Sequence, residues 1–182
     1  MGDPGTSPDL AALFEAKARA ERAEADALDP VSAASGSTGP ASAAVVVLKG
    51  RPSAGADAPD APLSAAEAEA LGKALEALGL PADDLAALVT RPAGGEATEA
   101  SHARLALALE ACDPVWVIAL DADAAADAAA LPGVGALPPG GAREIAGRTW
   151  LAVDGFEASL SDSALKRRVW AQLKAIEVSP AP

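Results

Sequence analysis

Residues 149–176, TWLAVDGFEASLSDSALKRRVWAQLKAI, decide how the whole chain is read. Residues 150–153 form a short apolar run that predicts a strand. A brief loop follows, and then an amphipathic helix. Asp162 or Ser163 can cap that helix, because a short side-chain oxygen accepts a hydrogen bond from the unpaired N–H groups of a first turn. Leu165, Val169, Leu173 and Ile176 then recur at the spacing that puts them on one helical face. Lys166, Arg167, Arg168 and Lys174 line the other side.

Working outward, the same alternation of strand and helix recurs. Residues 44–48 (AVVVL) are wholly apolar and rich in β-branched valine, as expected of a buried parallel strand. A Gly/Pro/Asp-rich loop covers 49–62. Ser64 and Glu67 then make a capping box, and Leu71, Leu75 and Leu78 give the next helix its inner face before Gly79 stops it. Residues 85–89 predict a second strand. Residues 99–111 predict a helix that carries Leu105, Leu109 and the following Cys112 on one face. Residues 115–120 (VWVIAL) are apolar on both faces and so belong at the centre of a sheet. Asp121 caps a short alanine-rich helix over 122–131. Ile145 and residues 148–153 suggest paired strands turning at Ala146 and Gly147. The fold class expected is α/β: a three-layer sandwich around a mostly parallel sheet, preceded by an N-terminal helical arm.

That arm and its linker occupy residues 1–43, and the α/β domain residues 44–178. Residues 9–28 have helical periodicity, but only Leu10, Leu13 and Phe14 form an apolar patch; alanine and alternating charge follow. Asp29 and Pro30 end the helix. Residues 31–42 (VSAASGSTGPAS) are small and polar, as in a flexible linker. Leu10, Leu13 and Phe14 are candidate anchors for a protein partner. The alternative is an extension without a role.

Composition narrows the chemistry. The 182 residues suffice for one ordinary domain, with a core of Leu, Val, Ile and Ala, since only 3% are aromatic. The net charge of −12 disfavours general nucleic-acid binding, which needs Lys and Arg to displace counterions from phosphates. It favours protein partners. With a single cysteine, Cys112, and a single histidine, His102, no internal disulfide and no multi-thiolate metal site can be built. An apolar signal core and a membrane-length run are both lacking from the sequence, so a cytoplasmic location is expected.

The closing stretch resembles the last motif of the uracil-DNA glycosylase superfamily, in particular its bacterial iron–sulfur branch. There a strand enters a His-Pro-Ser or His-Pro-Ala loop, followed by a Leu-Leu-Arg-x-Pro-x-x-Lys-Arg-x-x-Trp-x-x-Leu helix. Leu160, Lys166, Arg167, Trp170 and Leu173 match the helix, while Gly155 and Phe156 stand where the family has His and Pro. The resemblance extends over residues 44–176. The family's Gly-Glu-Ala-Pro-Gly loop falls on Lys49 to Ser53, with Pro52 and later Pro62 matching, the active-site Glu replaced by Gly50 and a following acid at Asp57. Its Lys-Cys-Arg-Pro segment corresponds to Val89, Thr90, Arg91 and Pro92, with Thr90 in place of a cluster cysteine. The central strand ends in Leu120 and Asp121 where the family has Leu-Gly. The layout of helical peptide, linker and body is also similar to that of the psi subunits of bacterial clamp loaders.

What the resemblance implies is a framework without its reactive groups. Base excision needs a flipped base, a donor for the anion that builds on the leaving base, and an acid or amide that positions water. Gly50 and Gly155 supply none of these. Asp57 is the remaining candidate for acting on a water, against a plainer reading as a solvated loop carboxylate. His102 is read as a helix-start residue and Cys112 as a buried one. Arg91 can meet a phosphate or pair with an acid. An iron–sulfur centre would need four cysteines, so no cofactor is expected. The function expected is a non-enzymatic interaction role in DNA replication or repair; the alternative is a divergent, active uracil-DNA glycosylase.

Overall fold

Valine-rich and alanine-rich runs take different layers of the molecule. The computed structural model describes residues 9–55 and 61–176. Its strands are β1 (Ser37–Thr38), β2 (Val45–Lys49), β3 (Leu85–Val89), β4 (Trp116–Ala119), β5 (Arg143–Ile145) and β6 (Arg148–Ala152). Its helices are α1 (Leu10–Leu28), α2 (Pro30–Ala33), α3 (Ala65–Ala77), α4 (Glu99–Cys112), α5 (Ala122–Ala129), α6 (Phe156–Ser159) and α7 (Ser163–Leu173). The strands form one six-stranded sheet in the order β1-β3-β2-β4-β6-β5. Strands β3, β2, β4 and β6 run parallel, and an antiparallel strand closes each edge. The sheet is therefore mixed. Its edge strands have only two and three residues, which limits the row of unpaired backbone groups left at each side.

Successive side chains of a strand point to opposite faces, and the core divides accordingly. Val46 and Leu48 of β2, Leu88 of β3 and Val117 of β4 pack with Leu105, Leu109 and Cys112 of α4 and Ala124 of α5. Val45 and Val47, with Ile118 and Leu151, pack on the other side with Leu71 and Leu75 of α3 and Val169 and Leu173 of α7. Helix starts follow local capping chemistry. Ser64 and Glu67 form the expected capping box on α3. Thr98 and Ser101 form one on α4, and Asp121 and Asp162 cap α5 and α7. At the β5–β6 turn both Ala146 and Gly147 have positive φ, the conformation a two-residue hairpin requires.

The N-terminal segment, read from sequence as a tethered arm and linker, lies against the body. Ala18, Arg22 and Ala25 of α1 are buried. Arg22 Nη1 donates to the Cys112 sulfur at 3.1 Å, and Arg104 Nε donates to Asp26 at 2.8 Å. Residues of the expected linker form α2 and the edge strand β1, and Glu15 accepts hydrogen bonds from the backbone of Ala41 and Ser42. Alanine gives α1 a flat side that lets it approach α4 closely, so it packs without a long apolar stripe. Among the described residues, no helix is long and apolar enough to cross a membrane.

Arg104 is 1% exposed and also donates to the Val89 carbonyl at 3.0 Å, so it ties α1 to the sheet through α4. Replacing Arg104 with Met should cost about 2–3 kcal/mol in urea unfolding, less than a fully buried pair because Asp26 is partly exposed. An unchanged unfolding midpoint would show that α1 is not held by this pair.

Candidate functional site

In sheets of parallel strands, ligands gather beyond the carboxyl ends, where neighbouring crossovers leave in opposite directions. The connection after β2 leads through α3 to β3 on one side, and the chain after β4 leads to β6 on the other. The switch lies between β2 and β4. A crevice of about 310 Å³ opens there, lined by Lys49, Leu120, Asp121, Gly155, Glu157 and Ala158. Gly50 adjoins it, since its N–H donates to Asp121 Oδ2 at 3.0 Å. The fold thus brings Gly50 and Gly155 to the same crevice.

Lys49 is the last residue of β2 and only 5% exposed. Its ammonium donates to Glu67 at 2.5 Å, to Glu157 at 2.8 Å and to the Ser53 hydroxyl, which occupies all three of its protons. Glu67 is fully buried. Burial pushes its carboxyl up, but hydrogen bonds from Lys49, Ser53 and the Ser64 backbone outweigh that and hold it below the usual carboxylate range. Ser53 also binds the Pro62 carbonyl through its N–H, so Pro52 and Pro62 lie on a loop closed at its base. Sequence reading gave Glu67 its capping role and Lys49 none. The available signal was a lysine directly after a wholly apolar strand.

The two glycines differ. A side-chain carbon on Gly50 would overlap the Asp123 side chain and lie 2.9 Å from Asp121 Oδ1. Asp121 accepts from the N–H groups of Gly50 and Ala124, capping α5 and closing it over the end of β2. Gly155 has φ +80 and open space beside it, so strain, not room, opposes a side chain there. Phe156 does not plug the crevice. It is buried on the face of α3 and α7, with its N–H on the Leu120 carbonyl at 2.8 Å.

Arg91 takes the acid-pairing course. It makes a two-pronged bond to Asp127 at 2.8 and 3.0 Å and ion pairs to Asp123 and Glu96 at 2.9 and 3.1 Å. The Asp127 bonds raise its pKa above an already high value. Thr90 donates to the same Asp127 at 2.6 Å. His102, in the first turn of α4, has Nε2 3.7 Å from Asp127 and lies with this cluster, not at the crevice. Burial pushes the Cys112 thiol up, which leaves it protonated. Lys166 and Arg167 are exposed on α7, and Leu10, Leu13 and Phe14 are exposed on the first turns of α1. Asp57 falls outside the described residues. Among those described, no group of three His, Cys, Asp or Glu could hold a metal ion.

Lys49→Met leaves a buried carboxylate without its cation and should cost about 3–5 kcal/mol at neutral pH. Glu67 is depressed in the folded wild-type chain. Its contribution is therefore present above the unfolded carboxylate pKa and lost as pH falls through the lower folded value. In the variant, burial is no longer outweighed, the folded pKa rises, and acid relieves the penalty. The difference in urea unfolding free energy between the two proteins should narrow steadily on acidification. A difference that stays constant would show that Glu67 does not depend on Lys49.

Compared with known proteins, the chain matches no family model and no curated protein.

Proposed function

We propose that this chain is a non-enzymatic interaction protein, built on a degenerate uracil-DNA glycosylase-like framework and acting in DNA replication or repair through a protein partner. The replication or repair setting rests on the resemblance of residues 44–176. The observation that carries the non-enzymatic reading is the commitment of Lys49 and Asp121 at the crevice. Lys49, the one cation lining it among the described residues, has no proton left for a leaving base. Asp121 holds the backbone of Gly50 and Ala124. No side chain fits at Gly50, and Gly155 has none.

The surface offered to a partner is the start of α1. Leu10, Leu13 and Phe14 are 63%, 58% and 63% exposed, and their spacing places them on one face. Large apolar side chains grouped in water mark a contact surface. Helix α1 is already folded and held by Arg22 and Asp26, so docking it into a partner's groove costs little ordering entropy.

Purified protein is expected to release no uracil from single- or double-stranded uracil-containing oligonucleotides. Excision abolished by Asp121→Asn or Asp57→Ala would overturn the reading in favour of an active, divergent glycosylase. For the partner surface, the variant with Leu10, Leu13 and Phe14 all changed to Asp should keep the wild-type unfolding midpoint and lose the proteins that wild type retains on a column. Point changes are the right probe, because deleting residues 1–42 would also remove β1 and the α1 contacts. Retention of the same proteins by the variant would remove the role assigned to these residues.

A further inference from the structure

On the face of the sheet opposite α1, a groove of about 330 Å³ runs between α3, α6 and α7. Ala70 and Ala74 of α3 form one wall; Phe156, Leu160 and Trp170 form the other, and Lys166 and Arg167 stand at the rim. The small alanines make the groove, since larger residues at those positions on α3 would fill it. Its lining is almost wholly apolar apart from the two cations.

Most of this chain's cations face a carboxylate. Acidic residues outnumber basic ones by 26 to 14, and Lys49, Arg51, Arg91, Arg104 and Arg148 all have carboxylate partners. Among the described residues, Lys166 and Arg167 have no carboxylate within ion-pair distance. The next residue, Arg168, reaches Asp154 only at 3.7 Å. Two cations without a carboxylate partner among the described residues therefore flank an apolar slot on a protein of net negative charge.

We propose that this groove docks a short acidic peptide segment of a partner protein. One apolar side chain enters between α3 and α7, and carboxylates beside it pair with Lys166 and Arg167. Charge complementarity selects the acids, and the concave apolar walls select the anchor. Screening confines the competing field of the acidic surface to about 8 Å, so a short segment responds to the local cations. A nucleic-acid strand is a poorer fit. Bases need open aromatic faces on which to stack, and Lys174 lies over the Trp170 ring at 5.8 Å. The site is separate from Leu10, Leu13 and Phe14 and stands whether or not that surface binds a partner.

The test is fluorescence anisotropy on the full chain. The probe is a fluorescein-labelled pool of short peptides, each with a central Leu, Phe or Trp between pairs of Asp or Glu. Comparison probes are the same pool with Lys in place of the acids, and a labelled oligothymidylate. Saturable binding of the acidic pool is expected, weakened about tenfold or more by Lys166→Glu with Arg167→Glu. Ala74→Trp, which fills the groove, should abolish it; where that variant fails to fold by urea unfolding, Ala70→Met replaces it. Three results would overturn the proposal: no binding of the acidic pool at millimolar protein, binding indifferent to both kinds of variant, or tighter binding of oligothymidylate through the same residues.

Discussion

The buried ammonium of Lys49 is the constraint on which the carboxyl edge of the sheet depends. Strand β2 is buried along its whole length and ends in this cation. Moving an ammonium out of water costs several kcal/mol even after relaxation, so it must meet counter-charges and hydrogen-bond acceptors in good geometry. Glu67 comes from the first turn of α3, Ser53 from the loop after β2, and Glu157 from α6. One charge thereby fixes where three segments, 4, 18 and 108 residues along the chain, meet the end of a central strand. The crevice at the strand switch owes its shape to this arrangement, and the protons of Lys49 are all taken up within it.

The absence of a reactive group at Gly50 is more than a missing side chain. Asp121 and Asp123, at the start of α5, occupy the space that a side chain on residue 50 would need. Asp121 caps α5 while holding the Gly50 N–H. A side chain at residue 50, just after β2, and the observed approach of α5 are therefore sterically incompatible. Gly155 is the opposite case, with space but a left-handed backbone that disfavours a side chain.

The inner strands were legible in the sequence because they are buried on both faces. Runs such as VVVL and WVIA leave no other place to go, and residues 85–89 are a strand with the expected bounds. The capping boxes and the hairpin were legible because their chemistry is local. What escaped was built from residues whose burial depends on distant partners. The α1–α4 seam uses Ala18, Ala25, Arg22 and Arg104, types equally at home on an exposed helix. Helix α6 is a single turn whose start, Gly155, carries no capping side chain. Lys49 reads from sequence as the first residue of a loop because its carboxylates lie 18 and 108 residues away. The crevice was reachable from sequence only through the two glycines that resemblance placed there.

Charge separates the two kinds of partner that such a framework could serve. A duplex substrate extends over many screening lengths and carries one charge for about every 1.7 Å, so it samples the surplus carboxylates as well as any local cations. Several cations are internal: Arg91, Arg104 and Arg148 are 11%, 1% and 14% exposed at the side chain and already face carboxylates. Their positive charge cancels within the protein. Among the described residues, Lys166 and Arg167 of α7 reach solvent without a carboxylate partner beside an apolar slot, a footprint matched in size to a few residues of polypeptide. Holding a flipped base would instead need free donors at the crevice between β2 and β4, where the protons of Lys49 are taken up internally. A polyanion at the crevice would face Asp121 and Glu157, whereas the acidic segment proposed for the groove meets Lys166 and Arg167 on α7.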